Sequence, residues 1–285
     1  MFTTIASARR RPAFAVRGGA HRAPHDYTDE AMIPIRDRLP TRRFAVVNYL
    51  LIAANIVIFL LELSQSSSAR AAHLLLQTYG LVPVEIVSAP AQNLLTIFTS
   101  MFMHDPTGWL HLGGNMLFLW IFGDNVEDAL GHLRYLAFYL LAGIAAAAAQ
   151  VAISPFSTVP MVGASGAIAG VLAAYVSLYP RAAITVLNPI PLLWIFFGLF
   201  FDLPAWIVIA EFFIVNIVNG VSSTAQATGG AGGVAFFAHL GGFVAGLFLV
   251  RFLMSGPPRS HDRWSGFQPS GRPRAAEARR RPWDA

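Results

Sequence analysis

Residues Val162 to Tyr179 read VGASGAIAGVLAAYVSLY, an uninterrupted run without one charged side chain, stopped by Pro180 and Arg181. Roughly 20 helical residues cross the hydrocarbon core of a bilayer. A backbone in lipid must satisfy its own hydrogen bonds, which leaves only helices or closed barrels. The run does not alternate apolar and polar residues as a barrel strand does, so it reads as a membrane helix. Gly166, Gly170 and Ala174 recur every fourth position, a spacing that lets two membrane helices approach closely. Ser165 directly precedes the first of them.

Outward from this stretch, similar runs recur along the chain. Phe44 to Leu63 is broken only by Asn48, Asn55 and Glu62. Trp109 to Phe122 is short and reads as closed by Gly123, Asp124, Glu127 and Asp128. Tyr135 to Ile153 is rich in Ala. Leu192 to Ile217 is too long for one simple span and is interrupted by Asp202 and Pro204. Pro204 to Ile217 reads as the fifth span, and the apolar segment before it as interfacial or partly embedded. Phe236 to Met254 is the sixth, with Ala238, Gly242 and Gly246 again four apart. The expected architecture is all-α, a polytopic six-span bundle over residues 44–254. A polar head (1–43) and a tail rich in Arg, Pro, Ser and Gly (255–285) flank it, both read as disordered.

Composition agrees. Of 285 residues 55% are hydrophobic and 12% charged, against about 25% charged in soluble domains. Mean hydropathy is +0.55. The absence of Cys excludes disulfides, thiolate metal sites and a cysteine nucleophile. No metal or other cofactor is expected, and no His-Glu-x-x-His zinc motif is present.

All 20 basic residues are Arg, and the net charge is +5. Their placement orients the bundle, because cytoplasmic flanks carry the excess of basic residues. With both termini inside, 19 arginines are cytoplasmic and only Arg70 lies outside. The basic character therefore needs no nucleic-acid partner, and no basic module interleaved with aromatics is present. The first 25 residues, Arg-rich with Thr3, Thr4 and Ser7, resemble a mitochondrial presequence. The plainer reading is a disordered bacterial head, or translation starting at Met32. The expected location is thus a bacterial inner membrane, with the mitochondrial inner membrane as the alternative.

Ionisable or nucleophilic residues inside spans are functional candidates by default. His111 and Asn115 in span two, Ser165 in span four and His239 in span six qualify. In this topology all three spans enter from outside, and His111, Ser165 and His239 fall within the first turn of each. At about 1.5 Å per residue they share one depth, just below the outer surface. Asn115 lies one turn deeper on the His111 face. Packing along the two small-residue stripes would bring Ser165 to His239. That pair suits a serine hydrolase, in which imidazole takes the hydroxyl proton as the oxygen attacks a carbonyl. His111 and Asn115 are of the type that can stabilise the oxyanion, as is a helix N-terminus at Ser165. No Asp stands at a matching depth, so a dyad is expected. Each residue alone has a plainer reading, as packing, structure or a proton path. Gly163-Ala164-Ser165-Gly166-Ala167 also lacks the second glycine of the soluble hydrolase elbow.

These residues resemble the rhomboid intramembrane serine proteases. The resemblance rests on His111-x-x-x-Asn115, on Gly163-Ala-Ser165-Gly-Ala-Ile-Ala-Gly170, and on Ala238-His239-Leu-Gly-Gly242 with Gly246. Met32 to Asp37 and Phe122 to His132 add to it. It implies Ser165 as nucleophile, His239 as general base, and His111 and Asn115 as oxyanion-hole side chains beside the Ser165 N–H. It also implies a six-helix core whose site opens to water from the extracytoplasmic side, and cleavage of single-span substrates near that side. Two features depart from the family: Ala169 stands where many members carry a Tyr stacked on the catalytic His, and residues 65–108 lack the Trp-Arg pair of some members.

A non-catalytic rhomboid-like protein that binds membrane helices is one alternative, although such relatives usually lack the Ser or the His. A proton-coupled transporter using His111, His239 and Glu211 is the other, but it predicts internal repeats that this sequence does not show. Residues 219–235, with Gly229, Gly230, Gly232 and Gly233, read either as a cap over the site or as an ordinary loop. Glu211 reads either as a buried, protonated or paired structural carboxyl or as a modulator of substrate entry, and His104 as a hydrogen-bonding residue of the outer loop without a part in catalysis. Nothing in the pattern names an oligomeric state or a natural substrate.

Overall fold

A computed structural model describes residues 32–188, 194, 198–225 and 232–254. Each of the six expected spans contains a helix: α1 (Val46–Gln65), α6 (Trp109–Leu130), α7 (His132–Ile153), α8 (Ser165–Leu178), α9 (Ala205–Ala225) and α10 (Gly232–Leu253). The helices α1 and α7 and the Phe236–Leu253 part of α10 are long and apolar enough to span a membrane. The apolar helices Ser165–Leu178 and Ala205–Val215 are shorter. This is a helical polytopic membrane protein.

Helix α8 is the hub, with every residue from Gly166 to Tyr175 buried. It packs against α6, α7 and α10, and α10 also lies along α7. The small residues explain how closely. A Cβ on Gly242 would overlap the Gly166 carbonyl, and one on Gly246 the Gly170 carbonyl. From α7, Ala146 and Ala142 press against the same two positions, Gly166 and Gly170. Backbone thus meets backbone where side chains would separate the helices. The two stripes expected to touch do touch.

The structure differs from the sequence reading in several places. Residues 33–37, within the supposedly disordered head, form strand β1 (Ile33–Asp37). It pairs antiparallel with β2 (Ala183–Leu187), which pairs antiparallel with β3 (Phe200–Pro204). Part of the apolar segment read as interfacial is therefore a sheet strand, at the end of α8 opposite Ser165. Residues 66–108 hold the short helices α2 (Ala69–Tyr79), α3 (Pro83–Ser88), α4 (Pro90–Asn93) and α5 (Thr96–Thr99). Helix α6 does not close at Gly123; it continues through Asp124, Glu127 and Asp128. Helices also cover residues 219–225 and 232–235, parts of the stretch expected to be a cap or an ordinary loop. The centre of that supposed cap, residues 226–231, lies outside the described residues, as do 1–31 and 255–285.

The acids are tolerated in α6 because the fold gives them partners. Glu127, almost wholly buried, accepts the backbone N–H of Val47 at 3.0 Å and of Asn48 at 2.7 Å. These are donors that the first turn of α1 cannot satisfy internally. It also pairs with His132 Nδ1. Asn48 in turn donates to the Leu119 carbonyl and accepts from Tyr135 Oη. Asp37 on β1 accepts from Asn125 Nδ2 at 2.6 Å and Tyr175 Oη at 2.8 Å. Burial pushes the Asp37 carboxyl up to about 7 against the pull of the Tyr175 hydrogen bond, and the nearby Asp124 charge pushes the same way. Glu211 accepts the Met32 N–H at 2.8 Å, so this mid-span carboxyl ties the strand segment to α9.

Candidate active site

Ser165 opens α8, so its side chain sits where the chain turns into the helix. The preceding Ala164 supplies no side-chain cap, and the Ile168 N–H makes the first return bond, to the Ala164 carbonyl. The N–H groups of the first turn thus have no intrahelical acceptor and favour negative charge beside the Ser165 hydroxyl. Gly163 has φ +120°, a conformation open to glycine and rarely to other residues. A Cβ there would lie 2.9 Å from His111 Cε1 and 3.7 Å from Ser165 Oγ. Lack of a side chain at Gly163 therefore lets the imidazole of α6 approach the hydroxyl of α8.

His239 reaches the same spot from α10. Its Nε2 lies 2.7 Å from Ser165 Oγ, within the range for a nucleophile and its base. The approach follows from the Gly166–Gly242 contact, one residue beyond Ser165 on one helix and three beyond His239 on the other. His239 is buried, and its Nδ1 has no hydrogen-bond partner among the described residues. Among the described residues no carboxylate pairs with the ring.

A ring does hold it. Phe212 of α9 lies 5.8 Å from His239, centroid to centroid, tilted by 52°. Phe212 also packs on Phe118 of α6 at 5.2 Å. It provides the aromatic neighbour that Ala169, itself buried, cannot. No sequence signal singled out Phe212, since it is one apolar residue among many in the fifth span.

Asn115 is buried one turn below His111, and its Nδ2 lies 2.9 Å from His104 Nε2. His104 is wholly buried, and its ring meets that of His111 at 5.3 Å and 61°. Burial, with the His111 ring beside it, lowers its pKa to about 4. The residue read as a bystander of the outer loop thus bonds one member of the polar pair on α6 and touches the other. The structure places His111 and Ser165 beside Gly163, His239 against Ser165, and Asn115 against His104. Among the described residues no group of His, Asp and Glu could hold a metal ion.

Residues 91–256 match the family model of the Rhomboid domain. The chain is 30% identical over 177 residues to "Rhomboid-like protein 11, chloroplastic" of Arabidopsis thaliana, covering 58% of this chain and 54% of that protein. It is 32% identical over 121 residues to "Rhomboid protein 1, mitochondrial" of Saccharomyces cerevisiae, covering 41% and 33%. It is 42% identical over 87 residues to "Rhomboid protease GluP" of Bacillus subtilis, covering 30% and 16%. The chain therefore spans at most about half the length of these curated relatives.

Proposed function

The chain belongs to the rhomboid family, and from that premise we propose that it is an intramembrane serine endopeptidase acting through Ser165 and His239. The observation that carries the reading is the 2.7 Å approach of His239 Nε2 to Ser165 Oγ. In the acylation step Nε2 takes the hydroxyl proton while Oγ adds to the scissile carbonyl carbon. The carbonyl oxygen becomes an oxyanion, met by the first N–H groups of α8 and by His111 and Asn115. The imidazolium returns its proton to the departing amine as the C–N bond breaks, leaving an acyl ester on Ser165. Water, deprotonated by the same imidazole, then releases the acid and restores the serine.

With Nδ1 unpaired, packing against Phe212 does the orienting that a third, charged residue does in a triad. The substrates on this reading are single-span membrane proteins cut near the extracytoplasmic boundary. The arginine distribution supports cytoplasmic termini and an outward-facing site. A bacterial inner membrane is the proposed location, with the mitochondrial inner membrane as the alternative.

The test is cleavage of a reporter with one membrane span by the purified full-length protein in liposomes, wild type against Ser165→Ala. Loss of cleavage by a variant that melts like wild type supports the proposal. Equal cleavage by the variant sinks the proposal, and absence of cleavage by wild type leaves the helix-binding alternative.

A further inference from the structure

A side-chain amide turns in a broad, roughly two-fold well about its last torsion, so a donor that must face a small target needs something to fix its plane. Asn115 has such a neighbour. Its Nδ2 can only donate, so the His104 Nε2 at 2.9 Å must accept, which places the His104 ring proton on Nδ1. One amide hydrogen is thereby engaged, and the direction of the second is set.

We propose that His104 is the positioning residue of the Asn115 amide, holding one N–H through its neutral Nε2 so that the other faces the oxyanion. The proposal rests on the reading of Asn115 as an oxyanion donor. The acceptor is itself well fixed. The His104 backbone N–H donates to Glu62 Oε2 of α1 at 3.2 Å. Its ring stands edge-on to Phe59 at 6.5 Å and 85°. The anchor of the amide therefore comes from the connection between α5 and α6 and is braced by α1, outside the helices that carry the dyad. His104 acts through Asn115 and need not touch substrate.

The test compares three full-length variants on the liposome-bound reporter. His104→Gln keeps an acceptor oxygen near the position of Nε2. His104→Met keeps similar bulk without it, and His104→Asn keeps a polar group too short to reach Asn115. Met and Asn should lower kcat by roughly 10- to 100-fold, the range for a misplaced or weakened transition-state donor, with KM nearly unchanged. Gln should stay within about threefold of wild type, and in an Asn115→Ala background His104→Met should change kcat by less than about twofold, because the two act as one unit. A general structural role would cost the same in both backgrounds. Wild-type kcat in His104→Met, a fall with Gln as deep as with Met, or equal losses in the two backgrounds would each overturn the proposal. Should His104→Met fail to fold, as followed by its melting curve, His104→Asn carries the comparison. Wild-type kcat in Asn115→Ala would remove the oxyanion reading and this proposal together. An impaired Asn115→Ala beside an unimpaired His104→Met would remove this proposal alone.

Discussion

Helix α6 carries polar residues at both ends, and the two ends are built on opposite terms. At its last turns Glu127 and Asn125 are buried with matched partners: two backbone N–H groups and His132 for the first, Asp37 for the second. At its first turns the surroundings of His111 and Asn115 hold buried atoms without a hydrogen-bond partner among the described residues, including His239 Nδ1 and Glu62 Oε1. About 16 residues separate His111 from Glu127, roughly 24 Å along the helix. An unpaired buried polar atom costs about 1–3 kcal/mol, so the orphaned end is the more expensive to fold. The paired end fastens β1, α1, α7 and α8 to one another, while the other end holds the residues to which the proposed function gives the chemistry. If that contrast is right, substitutions at the two ends should fail in different ways.

The largest effect belongs to the open end. His239→Ala should reduce kcat by about 10⁴-fold or more, as removal of a catalytic base does elsewhere, and leave the melting temperature within a few degrees of wild type. A variant that keeps activity breaks the assignment, and one that loses its fold breaks the contrast. At the paired end Glu127→Ala should behave in reverse. It strands two buried N–H groups and His132, for a loss of about 2–5 kcal/mol in unfolding free energy, with little change in kcat per folded molecule. Unaltered stability would show that those bonds hold nothing.

Phe212→Leu is a sharper probe, because it keeps apolar bulk and removes only the ring beside His239. It should lower kcat by about tenfold, the range for loosened geometry being up to ~10², and hardly move stability. A loss confined to KM would show that Phe212 meets substrate rather than the imidazole.

The smallest effect is a slope. Asp37 has its carboxyl raised to about 7 from roughly 3.9 in an unfolded chain, so the fold favours the protonated form. The stability it contributes is complete below about pH 4 and is lost as the pH rises through 7. Melting curves of wild type and Asp37→Asn between pH 5 and 8 should therefore diverge, the variant losing less on going up. Parallel curves would break this account of β1.

The site was legible to the extent that its chemistry lay in local pattern. Ser165, His239 and His111 could be set at one depth because helix rise and topology convert sequence position into height. The stripes around Gly166 and Gly242 could be matched because close approach requires small residues at a fixed period. The sheet was not legible: β1, β2 and β3 are short segments far apart in the chain, and β1 lies among arginines that made residues 1–43 look unstructured. Helix α6 was cut short at Gly123 for a related reason, since Asp124 and Glu127 look like an exit from the bilayer unless their partners on other elements are known. The roles of His104 and Phe212 are not legible in the sequence, because nothing in a His before a helix, or in one Phe among 22, points to what it touches.

By itself, then, the sequence determined what depends on solvent and period: a bundle of apolar helices, and a serine and an imidazole placed at a common height by helix rise. Only the tertiary structure decided which atoms meet. A hydrogen bond is made or lost within a few tenths of an ångström, whereas a sequence fixes position along a helix only to about 1.5 Å per residue and says little about rotation. That finer scale holds Ser165 Oγ against His239 Nε2, Phe212 against the ring, and His104 against Asn115.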